Sequence, residues 1–285
     1  MTKLAIMSDL HIDSNHFSDF EINTLIDTLR SEQIEHLHIA GDISNDFEQV
    51  SRPFLEQLRE HFPVTYNLGN HDMLGMTESE IEKQDFQIYQ LGNHSLLSLA
   101  GWYDYSFVPD KALEEHQRTK RLYWFDRRLE RAKSDPELTD QILEKLDQTL
   151  ANVDSPVIIA LHFVPHVDFI LRHPYFERFN AFLGSPRFHD IFKKHAVKEV
   201  IFGHTHHRFA SQVIDGIHYH ARPLGYIREW QLCQDFLEAF PQYRFDQDYH
   251  PYKRYRKIKD LPEFLDYKKK HLENEFRSAL TILDI

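Results

Sequence analysis

The chain has 285 residues, 41% of them hydrophobic and 27% charged, which suits a globular protein able to bury a core. A formal net charge of -12 argues against a general nucleic-acid binder, although bound cations can invert the local sign where a phosphoester sits. Cys233 is the single cysteine, which excludes a disulfide framework and a thiolate zinc cluster, and no apolar run is long enough to span a membrane.

Taken in chain order, residues 4–7 (LAIM) read as a buried strand that stops at Ser8-Asp9. Lys3 precedes only a short apolar run, so no signal peptide is read and the expected compartment is the cytoplasm. Ser18 and Glu21 form a capping box that opens a helix with Ile22, Leu25, Ile26 and Leu29 on one face. A strand over 36–40, a helix over 46–61 and a strand over 63–66 follow, an alternation that argues for α/β layers. Residues 95–107 read as a β segment and 111–152 as charged helix broken at Asp135-Pro136. Apolar runs return at 156–161 and 199–202, and Asp215-Gly216 marks a hairpin between 211–214 and 217–220. The last sixty residues are rich in Tyr, Phe, Lys and Arg and repeat nothing earlier. One domain is expected over 1–285, with a helical insertion at about 108–152 and a C-terminal extension at about 227–285.

Five polar motifs each follow an apolar strand candidate: Asp9-Leu10-His11, Gly41-Asp42, Gly69-Asn70-His71-Asp72, His162 and Gly203-His204-Thr205-His206. Open α/β sheets place ligand sites at the carboxyl ends of their strands. Residues i and i+2 of an extended chain project alike, which would aim Asp9 with His11, and His204 with His206, into one site. The glycines at 41, 69 and 203 allow sharp turns and close approach. Carboxylate, amide and imidazole together suit Mn, Fe, Zn or Co better than Ca. With 20 histidines, about 1.4 His-x-His pairs arise by chance, so His36/His38 and His218/His220 are read as strand residues without catalytic role. Gly-Asn-His-Asp is far rarer, on the order of two in a thousand for this composition.

The ordered set D-x-H, G-D, G-N-H-D, H and G-H-x-H resembles the calcineurin-like metallophosphoesterase superfamily over roughly residues 1–225. The resemblance implies a two-sheet β-sandwich flanked by helices in four layers, α/β/β/α, holding two divalent metal ions, Mn, Fe or Zn. It implies that Asp9, His11 and His206 hold one ion, that Asn70, His162 and His204 hold the other, and that Asp42 bridges them. His71 matches the family's non-ligand histidine facing the leaving group. The implied reaction is hydrolysis of a phosphomonoester or phosphodiester by hydroxide bridging the metals, with a small phosphoester, nucleotides included, as the partner. Protein Ser/Thr phosphatases of the superfamily carry an Asp and an Arg-Gly after Gly-Asp, whereas this chain continues Ile43-Ser44-Asn45-Asp46. That departure argues against protein phosphatase activity and leaves Asn45 to orient His71 as an acceptor. The run from Gly101 to Ser106 (GWYDYS) resembles a bacterial subgroup of the superfamily.

Tyr105, set among polar neighbours, and Arg222 and Tyr226, close behind the last ligand motif, are the candidate substrate contacts beside Asn45. Two other readings exist. A non-catalytic scaffold of the same fold is opposed by the intact Asn70 and His71. A nuclease would use the basic aromatic run at 252–257, which the acidic whole disfavours.

Overall fold

The computed structural model describes residues 2–285. Its first third holds β1 (Lys3–Met7), α1 (Asp19–Ser31), β2 (His36–Ala40), α2 (Arg52–Arg59), β3 (Val64–Asn67), α3 (Glu78–Gln84), β4 (Gln87–Leu91) and β5 (His94–Leu99). The middle holds α4 (Leu113–Tyr123), α5 (Asp135–Leu150), β6 (Val157–Leu161), α6 (Arg187–Lys194) and β7 (Glu199–Phe202). A hairpin, β8 (Gln212–Ile214) and β9 (Ile217–Ala221), leads to α7 (Gln231–Ala239), α8 (Pro251–Ile258), α9 (Pro262–Ser278) and β10 (Thr281–Asp284).

Two mixed sheets flanked by helices result, as the resemblance implied. One has the order β10-β1-β2-β3 and the other β4-β5-β6-β7-β9-β8. The inner strands run parallel in both, while β10, β4 and β8 are antiparallel edges. Leu4, Ile6 and Ala40 from one sheet meet Leu96, Ile158, Ala160 and Ile201 from the other in the seam between them. Ile159 and Leu161 point the opposite way into the helix-covered core. Burial on both faces is why residues 156–161 read as an unbroken apolar run. Parallel strands bring the carboxyl ends of β1, β2, β3, β6, β7 and β9 to one side of the molecule, and the motifs sit there.

Local signals hold where short-range chemistry decides. Ser18 and Glu21 form their capping box, and Asp215 and Gly216, with φ of 51° and 80°, make the hairpin turn. His38 is buried and satisfied, its ring nitrogens 2.9 Å from both Thr65 Oγ1 and Asn67 Oδ1, as suits a strand residue. One expectation needs correction, and two gain detail. The segment expected as strand over 95–107 ends at Leu99, because Gly101 (φ 80°) turns the chain and Trp102 Nε1 donates to Asp135 Oδ1 at 2.8 Å. The helix expected over 46–61 opens with a π-turn at Phe47–Ser51. The C-terminal segment returns a strand to the first sheet, pairing Thr281 with Ile6 and Asp284 with Lys3. Among the described residues, no helix is long and apolar enough to cross a membrane.

Candidate metal centre

The loops after β1, β2, β3, β6 and β7 converge, but not by the expected pleat. Beyond the ends of β1 and β7, Asp9, His11, His204 and His206 take left-handed backbone, with φ of 58°, 41°, 69° and 52°. Asp42 does the same, with φ 56°. Side-chain-bearing residues seldom adopt this region, and such strain gathers where function over-determines the chain. Kinked loops, not extended strands, aim these side chains inward.

Two groups of ligand atoms form, each with its atoms within 4.8 Å of one another. Asp9, His11, Asp42 and His206 make the first; Asp42, His162 and His204 make the second. In the first, His11 Nε2 lies 2.9 Å from His206 Nε2 and 3.6 Å from Asp42 Oδ2, and His206 Nε2 lies 3.3 Å from Asp9 Oδ1. In the second, His162 Nε2 lies 3.4 Å from Asp42 Oδ1 and 3.1 Å from Asn70 Oδ1, which brings Asn70 into the group. All seven sequence-chosen ligand candidates therefore meet at one place.

The outer nitrogens of three of these imidazoles have acceptors. His162 Nδ1 is 3.1 Å from the Ala40 carbonyl, His204 Nε2 is 3.2 Å from the Phe182 carbonyl, and His206 Nδ1 is 3.0 Å from Glu229 Oε2. Donation outward leaves a lone pair facing inward, the arrangement that orients ligating histidines. Asp42 Oδ2 and His11 Nδ1 are buried without a hydrogen-bond partner among the described residues. A buried, unpaired carboxylate oxygen costs about 1–3 kcal/mol or more. A divalent cation between it and the imidazoles removes that penalty, so the residues fit metal binding.

Charge in the metal-free centre points the same way. Burial works against ionising Asp9, yet the His206 hydrogen bond and the charge of His162 hold its pKa down to about 2. Burial likewise opposes charge on His162 and His206, but Asp42 raises the first to about 9, and Glu229 with Asp9 raises the second to about 10. Burial and the charge of neighbouring histidines keep His11 well below its ordinary value and bring His204 to about 3. Protons on two imidazoles thus occupy positions where cations would otherwise balance the carboxylates.

The packing that holds this geometry is tight. A Cβ added at Gly69 would stand 2.2 Å from Asp42 Oδ1, and one at Gly203 would stand 2.1 Å from Asp9 Oδ2. These glycines make room for carboxylates to press on backbone, and neither has a positive φ. Asp72 accepts from the backbone N–H of Asp42, Ile43, Ser44 and Gly69 at 2.7–3.1 Å, tying two motif loops together. Asn70 Nδ2 donates to buried Asp126 Oδ1 at 2.7 Å, which turns the amide oxygen toward His162.

His71 sits at the mouth. Its Nδ1 is 2.9 Å from Asn45 Oδ1 and its Nε2 is 4.0 Å from Asp42 Oδ2. Asn45 Nδ2 donates to Asp13 Oδ2 at 2.8 Å, so the amide oxygen is the face turned to His71. Phe125 stacks on the His71 ring with centroids 3.7 Å apart. Tyr226 stacks on His11 at 4.4 Å and lines the cavity above the centre.

Of the four expected substrate contacts, Tyr226 lines the cavity, Asn45 stands off its wall against His71 Nδ1, and the other two lie elsewhere. Tyr105 is buried, stacks on His116 and donates its hydroxyl to Asp135, so its polar neighbours are an internal network that also holds Trp102 and Lys120. Arg222 is exposed and donates from Nε to the Ser278 carbonyl at 2.8 Å, tying the end of β9 to the end of α9. Neither lines the cavity. Asp126, Phe125 and Glu229 escaped the sequence reading, because each comes from a segment with no motif and reaches the centre only through the fold. Replacing the charge that backs His206, Glu229→Gln is expected to weaken binding at the first group about tenfold, the lower end for outer partners of a metal-ligating His, in a chelator competition.

A family model described as calcineurin-like phosphoesterase matches residues 2–208. No curated protein matches the chain. Among solved structures, a phosphopantetheinyl hydrolase from Mycobacterium tuberculosis aligns with a TM-score of 0.62 and 19% identity, covering 81% of this chain and 92% of that one. A dimetal phosphatase from Danio rerio aligns with a TM-score of 0.46 and 15% identity over 77% of this chain and 86% of its own. Purple acid phosphatase from yellow lupin seeds gives 0.43 and 15%, over 75% and 39%.

Proposed function

The chain belongs to the calcineurin-like phosphoesterase family and is a hydrolase acting on phosphoric esters; from that premise we propose that it uses two divalent cations to hydrolyse a phosphomonoester or phosphodiester with an apolar or aromatic body. The observation that carries the dinuclear reading is Asp42, which alone is shared by both ligand groups and has one buried oxygen unpaired. Asp9, His11 and His206 would hold one ion, Asn70, His162 and His204 the other, with Asp42 between them. Such ions, Mn, Fe or Zn by this donor set, supply charge neutralisation for the phosphate and a water of lowered pKa. His71 faces the leaving oxygen from Nε2 and protonates it, while Asn45 holds the ring from Nδ1. Trp124, Phe125 and Tyr226 exclude bulk water from the reacting end.

The substrate body is argued from the space above the centre. A cavity of about 930 Å³ opens there, far larger than a phosphate group needs. Trp124, Phe125, Phe176, Phe179, Phe209 and Tyr226 line it, with Arg172 and Arg228 as its arginines. Aromatic walls with few cations favour an ester whose alcohol is largely apolar. The 108–152 segment contributes Trp124 and Phe125, which makes it part of the binding wall. A buried free Cys233 agrees with a reducing, cytoplasmic setting.

The test compares mono- and bis-(p-nitrophenyl) phosphate, methyl phosphate, naphthyl phosphate and a phosphopantetheinyl ester across Mn²⁺, Fe²⁺ and Zn²⁺. Turnover with aryl or long-arm esters is expected to exceed that with methyl phosphate by at least about tenfold in kcat/KM, or about 1.4 kcal/mol. Equal turnover of naphthyl and methyl esters would remove the role given to the aromatic wall. No turnover with any ester and any metal would favour the scaffold.

A further inference from the structure

Outside the centre, β7 and β9 bring a second set of donors together. His218 and His220 are two residues apart on β9 and project from one face of it. Glu199 opens β7, the parallel neighbour, and is the register partner of His218. Glu199 Oε1 lies 3.3 Å from His218 Nδ1, and Oε2 lies 3.0 Å from His220 Nε2. All three ligand atoms fall within 4.8 Å of one another. A tetrahedral zinc ion with bonds of about 2.0–2.1 Å holds its ligand atoms about 3.3 Å apart, so little movement separates these groups from a binding geometry.

An outer partner is also in place. Ser211 Oγ lies 2.9 Å from His220 Nδ1. A hydroxyl can donate or accept, so Ser211 Oγ can accept a hydrogen bond from His220 Nδ1–H when Nε2 turns its lone pair to a cation. His218 is 53% exposed at its side chain, which leaves a path for the ion and room for a water as fourth ligand. The cluster lies at the amino end of β7, whereas the His204 loop follows its carboxyl end. By strand rise the two are roughly 15 Å apart.

We propose that Glu199, His218 and His220 form a surface zinc site, separate from the catalytic centre, that clamps the β8–β9 hairpin to β7. Two neutral imidazoles and one carboxylate with an open fourth position are a zinc donor set. The hairpin ends its sheet with β7 as its one strand neighbour, while Lys193 and His189 of α6 reach its turn at Asp215 from the helix side. A cation bonded to both β9 and β7 would fasten it there.

The experiment uses the full chain, ZnCl₂ as the only added metal, and native mass spectrometry with elemental analysis after dialysis. His218→Ala and His220→Asn are each expected to bind one zinc fewer per chain than the wild type, with aryl phosphate turnover unchanged. His250→Ala, which removes an exposed histidine elsewhere, is expected to lose none. Zinc should slow amide exchange in residues 212–221 of the wild type and leave it unaltered in His218→Ala. A wild-type zinc count in both site variants would overturn the proposal and leave Glu199 as an ordinary ion-pair partner. An equal loss in His250→Ala would overturn it as well. If one site variant fails to fold, the other gives the same reading, because each removes a single ligand.

Discussion

Asp42→Ala is expected to bind neither ion of the catalytic centre and to lower kcat/KM by at least about 10⁴-fold, or about 5.5 kcal/mol of transition-state stabilisation. Asp42 is the one carboxylate common to both ligand groups, and Asp72 and the close Gly69 backbone hold it in place. Its loss leaves His11 and His162 without the charge that pairs them. The same substitution has a proton signature. In the metal-free protein, burial opposes charge on His162 and His206, but nearby carboxylates raise their pKa values to about 9 and about 10. A cation must displace those protons, so affinity should rise with pH from neutrality, less steeply above about pH 9 where His162 loses its proton, and flatten above about pH 10 where His206 does. Calorimetry in buffers of different ionisation enthalpy reads the protons released. Asp42→Ala removes the main cause of the raised His162 value, so any residual binding should release fewer. Metal content and turnover equal to wild type would end the assignment.

His71→Ala should behave in the opposite way. Both ions stay bound, while kcat falls about 10²–10⁴-fold, the usual worth of a positioned acid. Its ring stands 4.0 Å from Asp42 and 2.9 Å from Asn45, and it belongs to neither ligand group. Burial lowers its pKa below the ordinary imidazole value, and cations in the centre would act in the same direction. An acid works below its pKa, so the alkaline limb of kcat should lie at low pH. Asn45 supplies an acceptor without charge, which gives an imidazolium no ionic support. The exchanged pair Asp13→Asn/Asn45→Asp keeps the side-chain hydrogen bond seen between those residues and sets a carboxylate against His71 Nδ1. That exchange should move the alkaline limb to higher pH while KM stays unchanged. An unmoved profile would show that Asn45 does not position His71.

What was legible in the sequence came from residue identity and short-range order. The apolar runs at 4–7, 156–161 and 199–202 announced strands because parallel strands buried on both faces leave little room for polar alternation. Gly69-Asn70-His71-Asp72 stood out because four unlike residues in a fixed order seldom coincide. The capping box at Ser18 and the turn at Asp215-Gly216 rest on contacts within a few residues.

The route by which Asp9, His11, His204 and His206 meet was not legible, since left-handed φ values at non-glycine residues are imposed by surrounding contacts and not by propensity. Tyr105 and Arg222 looked like site residues because polarity along the chain cannot tell an internal network from a cavity wall. Asp126 and Glu229 lie about 56 and 23 residues from the ligands they support, and no local pattern encodes such pairs. The sequence by itself determined which donor atoms are present and that strand ends carry them. Only the tertiary structure decided which ring nitrogens face inward, which carboxylate is shared and which aromatic rings wall the cavity, because those depend on contacts between segments far apart in the chain.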